Sequence, residues 1–288
     1  MKALSIPVRI VGPGSQVEKE QLQYLDMPRE MNTFQMPRVP QRVAPEAVSE
    51  AHDVLAEFLD AMTPWDPAAG DPGPRLNVTG VSPAALDIIN EMLGEGEVGI
   101  QVNGAHAIHI QESVFTGVWR VCELDDDSRL VGDWIVAGSM PEAVIRAAIL
   151  AAAPAPARVT LPDGAMNSPA LLQEIEARLR NIRPDTPAHV INLTLFPLTA
   201  EDHQVLARAL PVGPVAMISR GFGHCKISST LARNVWRVQY FNSMNTLILN
   251  TIEIVDMPEV AIAAPEDLID SRTRLAELIT WMAESDTA

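Results

Sequence analysis

The chain repeats itself at a spacing of 117 residues, and this repeat restricts its fold more than any other feature of the sequence. Gly117-Val118-Trp119-Arg120-Val121 returns as Asn234-Val235-Trp236-Arg237-Val238, and Met140-Pro141-Glu142 returns as Met257-Pro258-Glu259. The same offset sets LGEGEV (Leu93 to Val98) against LPVGPV (Leu210 to Val215). Positions 93–147 share 16 identities with the second copy without a gap, where ordinary residue frequencies give about 4 by chance. Upstream, Ser82 to Leu93 faces Thr199 to Leu210 in the same register, and LNVTG (from Leu76) faces INLTL (from Ile191) after a two-residue gap. A fixed internal period makes the repeat the unit of folding, so both copies must present the same order of elements.

That order can be read from periodicity and turn chemistry. Each copy opens with a helix, Ala47–Met62 and Pro169–Arg180; Val54, Leu55, Phe58, Leu59 and Met62 keep the spacing of one helical face. Short strands follow near Arg75–Thr79 and His189–Thr194, and then a second helix with Ser82 or Thr199 as its N-cap. Four β-type runs come next. They are broken at Asn103-Gly104 and Asp125–Ser128 in copy one, and at Arg220–Gly223 and Asn242–Asn245 in copy two. The last run ends at Met-Pro-Glu, where proline suits the first turn of a closing helix. The reading is an α+β fold of two tandem pseudo-repeats, each with an antiparallel sheet packed by helices on one face. The divisions are an extended N-terminal arm (1–44) holding Pro7, Pro13, Pro28, Pro37 and Pro40, repeat unit 1 (45–150), an Ala/Pro/Gly-rich linker (151–167), and repeat unit 2 (168–288), which ends in an amphipathic helix, Ala264–Met282.

Composition narrows the function. The formal net charge is −16, with 37 acidic against 21 basic side chains, which opposes a nucleic-acid partner and favours a basic one. No run of 18 apolar residues is present to span a membrane, and the N-terminus lacks the apolar core of a secretory signal, so a cytoplasmic protein is expected. The two cysteines, Cys122 and Cys225, form no metal-type spacing. His106 and His109 lie in an alternating run and are expected on opposite sides of a strand. Gly12-Pro13-Gly14-Ser15 has no lysine placed to make it a phosphate loop. No nucleophile elbow, zinc-protease, Walker or dinucleotide motif occurs, so neither enzymatic activity nor a cofactor is expected.

What the copies do not share points to a binding surface. Trp119 and Trp236 hold the same position and suit core packing. Beyond Trp236, copy two carries Gln239, Tyr240, Asn242, Ser243, Asn245 and Asn250, whereas copy one carries Cys122, Glu123 and Asp125-Asp126-Asp127. Uncharged amides beside aromatics suit recognition of a polypeptide. Trp236, Gln239, Tyr240, Asn242, Ser243, Asn250 and the nearby His224 are therefore the candidate protein-binding residues, and copy one reads as scaffold.

Long stretches of the chain resemble the HupH/HyaF family of hydrogenase expression/formation proteins. They are Gly221–Cys225, Val235–Ser243, Leu247–Thr251 and Glu253–Val260, with Ile6–Gln16 and Tyr24–Pro28 near the start. The resemblance runs nearly end to end. It implies an accessory factor that matures a nickel-iron uptake hydrogenase by acting on the iron–sulfur small-subunit precursor before export, with other assembly factors as further partners. The family supplies no catalytic residues to carry over. The acidic charge would complement a twin-arginine signal on such a client. A metal or iron–sulfur cluster carrier is the alternative. It is weakened because Cys122 aligns with Gln239 and Cys225 with Ile108, so the copies cannot form a symmetric thiolate site.

Overall fold

The apolar face of the first helix shows how pattern becomes structure. Helix α1 (Pro45–Met62) starts on a proline, whose missing N–H and fixed φ suit a first turn. It buries Ala47, Ala51, Leu55, Phe58 and Met62 along one stripe. The computed structural model describes residues 44–104, 106–183, 186–220 and 224–285. The expected extended arm, Ile6–Gln16, Tyr24–Pro28 and Gly221-Phe222-Gly223 lie outside the described residues.

The other helices are α2 (Pro83–Leu93), α3 (Glu142–Leu150), α4 (Ser168–Asn181), α5 (Ala200–Ala209) and α6 (Pro265–Ser285). Both expected N-caps form. The Ser82 hydroxyl accepts from Ala85 N, and Thr199 and Asp202 make a reciprocal capping box. The described residues form ten strands: β1 (Arg75–Asn77), β2 (Val98–Val102), β3 (Ala107–Glu112), β4 (Val118–Leu124), β5 (Leu130–Ala137), β6 (His189–Asn192), β7 (Val212–Ser219), β8 (His224–Thr230), β9 (Val235–Phe241) and β10 (Leu247–Ile254). β9 and β10 sit 117 residues after β4 and β5 at both ends.

The expected separate sheet in each copy is not what forms. All ten strands join in one antiparallel sheet, in the order β1-β5-β4-β3-β2-β7-β8-β9-β10-β6. The join is β2 against β7, with Val98 opposite Ser219, Ile100 opposite Met217 and Val102 opposite Val215. Ile100 and Met217 are equivalent positions of the repeat, so the pairing maps onto itself when the copies are exchanged. A pseudo-twofold axis passes through that residue pair. The physical reason is that each copy leaves the first of its four long strands as an edge with unpaired N–H and C=O groups, and the two edges satisfy each other. The outer strands keep the two-residue gap of the sequence: Leu76 pairs with Ile135, and Ile191 pairs with Ile252.

Helices lie on both faces of the sheet rather than one. On the first face, α1 and α2 cover Val118, Ile135 and Ala137 of copy one, and α4 packs with Leu206 and Leu210 over Val235, Ile252 and Ile254 of copy two. On the second face a single core crosses the join. It combines Val98, Ile100, Ile110, Trp119 and Val121 with Val215, Met217, Ile227, Trp236 and Val238, and Val144 of α3 packs into it. Met140 and Met257, from the two Met-Pro-Glu turns, both enter this core.

The copies part after that turn. Copy one continues into α3, while copy two makes only a 3-10 turn, Glu259–Ala261. The chain then crosses to copy one as α6, placing Leu275, Ile279 and Met282 in the α1–α2 core. Gly117, at φ +77°, has no room for a side chain because a Cβ there would overlap Leu268 of α6. Its counterpart Asn234 has a similar backbone (φ 60°), and its side-chain amide donates to Asp256 at 2.8 Å instead. Ser271 Oγ also donates to Thr116 O at 2.9 Å. Gly96 and Gly213 are both fixed by close approach: a Cβ at either would run into the strand beside it, at Ser113 O or Ser229 Oγ.

Candidate functional site

The β4–β5 and β9–β10 hairpins turn in the same way. Asp125 Oδ1 accepts from Asp127 N (2.9 Å) and Arg129 N (2.8 Å). In copy two, Asn242 Oδ1 accepts from Met244 N and Thr246 N, both at 2.9 Å. Ser128 and Asn245 occupy the left-handed position, at φ 60° and 57°. Asn242 is therefore a turn former first. Its amide replaces a carboxylate without changing the backbone.

Further along, the copies share one brace and differ in one charge. Asp133 N donates to Thr79 Oγ1 at 3.1 Å, and Asn250 N donates to Thr194 Oγ1 at 2.9 Å. Arg120 is paired with the buried Asp133 carboxylate at 2.7 Å, whereas Arg237 Nε donates to the side-chain oxygen of Asn250 at 3.2 Å. Over Asp125–Asp133, copy one carries five charged side chains: Asp125, Asp126, Asp127, Arg129 and Asp133. Over Asn242–Asn250, copy two carries none.

The structure does not bring the seven candidate residues onto one surface. Trp236 and Tyr240 point to the face of the shared core, and Trp236 is only 2% exposed, with Nε1 donating to Asp256 O at 3.3 Å. Gln239 and Asn250 are opposite each other on the face that carries α4, and both are buried. His224 lies opposite Phe241 and is exposed, as is Ser243 in the turn; Tyr240 and Asn242 are half-buried. The accessible residues are thus His224, Ser243 and the outer parts of Tyr240 and Asn242. Trp236, Gln239 and Asn250 are buried.

Sequence reasoning missed the apolar side chains at the same corner. Met244 is 80% exposed, Leu195 78% and Ile248 56%, with Leu247 and Phe196 also exposed. The signal was available in the repeat, because Met244 replaces Asp127 and Leu195 replaces Gly80. It was hidden because surface leucines and methionines carry no motif.

The titratable groups do not converge. Burial pushes the Cys122 thiol up to about 11, and the Asp133 charge adds to this. Burial likewise raises Cys225 to about 11, against the hydrogen bond with Tyr240, and raises Tyr240 to about 12. Both thiols are therefore held protonated. Cys122 alternates along β4 with the core residues Trp119 and Val121 and so lies on the other face of the sheet from Cys225, which belongs to that core, so the two cannot share one ion. His106 pairs with Glu123 at 3.0 Å. Among the described residues, no three His, Cys, Asp or Glu side chains are grouped to hold a metal ion. No described helix is long and apolar enough to cross a membrane.

Comparison with known proteins places this architecture. The chain matches the region described as HupH hydrogenase expression protein, C-terminal conserved region, twice, over residues 48–153 and 165–282. It is 42% identical over 98% of its length to the hydrogenase expression/formation protein HoxQ of Cupriavidus necator, of which the alignment covers 99%. It is 42% identical to the hydrogenase expression/formation protein HupH of Rhizobium leguminosarum over 80% of each chain. The hydrogenase-1 operon protein HyaF of Escherichia coli is 32% identical over 96% of each chain. A solved structure of the hydrogenase expression protein HupH from Thiobacillus denitrificans aligns with 41% of this chain and 96% of its own, at 27% identity and a TM-score of 0.36.

Proposed function

The chain belongs to the HupH hydrogenase expression protein family, and from that premise we propose that it is an accessory, protein-binding factor in the maturation of a nickel-iron hydrogenase. Its client is the iron–sulfur small-subunit precursor, which it holds before export. It acts by binding and not by catalysis. The observation that carries this reading is the contrast between the two hairpins: one backbone turn is charged in copy one and wholly neutral in copy two. A duplicated fold that keeps the turn but discharges one copy has one copy free for recognition.

Co-purification of the full chain with the small-subunit precursor, with and without its signal peptide, tests the reading. Retention of the precursor is the expected result, and recovery of no small subunit in either form overturns it. Repeating the wash at low and high salt separates the contribution of the −16 charge, since attraction to a basic signal should weaken as salt rises.

A further inference from the structure

The copy-two corner of the sheet differs from its copy-one counterpart in charge. Core residues such as Trp119/Trp236, Val121/Val238 and Ile135/Ile252 are matched across the pseudo-twofold axis, but the turn joining β9 to β10 is not. The nine positions Asn242–Asn250 carry no charge, where their counterparts Asp125–Asp133 carry five. Exposed apolar side chains gather at the same place. Met244 sits in the turn, Leu247 and Ile248 open β10 as the exposed Leu130 and Val131 open β5, Leu195 ends the 3-10 turn Leu193–Leu195, and Phe196 follows it. Thr194, next to Leu195 in the chain, accepts from Asn250 N, so the two segments meet at one corner. In a chain of net charge −16, five neighbouring apolar side chains with no acid in the turn beneath them are not a solubilising surface.

We propose that Leu195, Phe196, Met244, Leu247 and Ile248 form a docking site for a short, uncharged, apolar segment of a polypeptide client. The inference deepens the protein-binding function argued above and rests on it. The chemistry selects this occupant. Aliphatic side chains and a methionine form a deformable apolar floor. Asn242, Ser243, Asn245 and Thr246 border it with amides and hydroxyls able to meet the backbone of an extended or loosely ordered segment. The missing charges remove the desolvation cost that Asp125, Asp126, Asp127 and Arg129 would impose in copy one. A second copy of this chain is the poorer fit. It would bring another −16 charge to the contact, and five side chains fall well short of a standard interface of about 1,600 Å².

The repeat itself supplies a test variant with a reason to fold. Ser243→Asp, Met244→Asp and Thr246→Arg together rewrite the copy-two turn with residues that copy one already carries on the same backbone. The probe is a dye-labelled leucine–alanine peptide with a single terminal lysine, followed by fluorescence anisotropy. An alanine peptide rich in glutamate and lysine is the control. The wild-type chain should bind the apolar probe and not the control, and the triple variant should bind it about tenfold more weakly or worse. Equal binding by wild type and variant overturns the proposal, as does no binding by the wild type. A wild type that self-associates, and becomes monomeric in the variant, also overturns it by making a second copy the occupant. Precursor retention by the wild-type chain is scored separately. Its loss sinks the wider reading, whereas retention with unchanged probe binding in the variant sinks only this corner.

Discussion

Arg120 and Asp133 show what one buried charge does in this fold. The pair is closed at 2.7 Å, and both side chains are largely out of solvent. Arg120 Nη1 is buried without a hydrogen-bond partner, so the guanidinium depends on its single carboxylate. Removing that carboxylate strands a cation. Asp133→Ala should cost about 3–5 kcal/mol, the usual penalty for breaking one side of a buried pair. Asp133→Asn reproduces what copy two does naturally, where Asn250 accepts from Arg237. It should cost less, about 1–2 kcal/mol, because an acceptor remains. Urea denaturation of the two variants reads the difference directly. Equal losses would mean that the charge, and not the acceptor, holds Arg120.

At the scale of elements, carboxylates also tie helix ends together. In copy one, Glu50 of α1 accepts from the backbone N–H and the hydroxyl of Ser82, the N-cap of α2. Those hydrogen bonds from Ser82 lower its pKa. In copy two the carboxylate comes from the other helix. Asp202 of α5 accepts from Met166 N, Asn167 N, Ser168 N and Ser168 Oγ at the start of α4, and from Thr199 N in its own capping box. Burial works against the Asp202 charge, but the bonds from Ser168, Thr199 and Asn167 prevail and hold the carboxyl well below its usual range. A carboxyl lowered by folding stabilises the protein above its unfolded pKa, about 3.9, and that contribution is lost as pH falls through the folded value. Asp202→Asn should therefore lose about 2 kcal/mol at neutral pH. The gap to wild type should close on acidification, as measured by urea midpoints from neutral pH down to acid. A gap that stays constant with pH would remove the charge from the account.

The elements themselves were largely legible from the chain. Helices α1, α2 and α4, the turns at Asn103-Gly104 and Asp125–Ser128, and the two-residue gap before β1 and β6 follow from periodicity, capping and alignment of the copies. The β2–β7 join was not legible, because strand alternation reports which face a residue occupies and not which strand lies beside it. Nor was the crossing of α6. Its apolar stripe shows that one face is covered, and only Gly117, where copy two has Asn234, hints at where. For the candidate residues, the strands that carry them are legible in the chain and their burial is not. Residue type singles out Trp236, Gln239 and Asn250, but all three are buried, and the exposed Leu195 and Met244 carry no motif.

For the whole molecule, the question is whether two copies mean two folding units. Four features say that they do not. Strands β2 and β7 satisfy each other's backbone across the join. The shared core draws Trp119 from one copy and Trp236 from the other. Helix α6 leaves copy two to complete the core of copy one. The linker is fastened to copy two, with Ala153 N donating to Leu231 O and Arg233 N donating to Ala153 O. Melting copy one alone would bare the β7 edge and halve the cover over Val215 and Met217, which costs both hydrogen bonds and apolar burial. The described residues should therefore unfold in one cooperative transition. Trp119→Phe and Trp236→Phe variants, each followed by fluorescence and by far-UV circular dichroism, should give coincident midpoints within each protein. Removing α6 from Pro265 onward should lower that single midpoint rather than split it, because the loss at copy one is transmitted through the join. Two resolved transitions, in the intact chain or after the truncation, would show that each copy folds on its own and that the pseudo-twofold sheet is an assembly of independent parts.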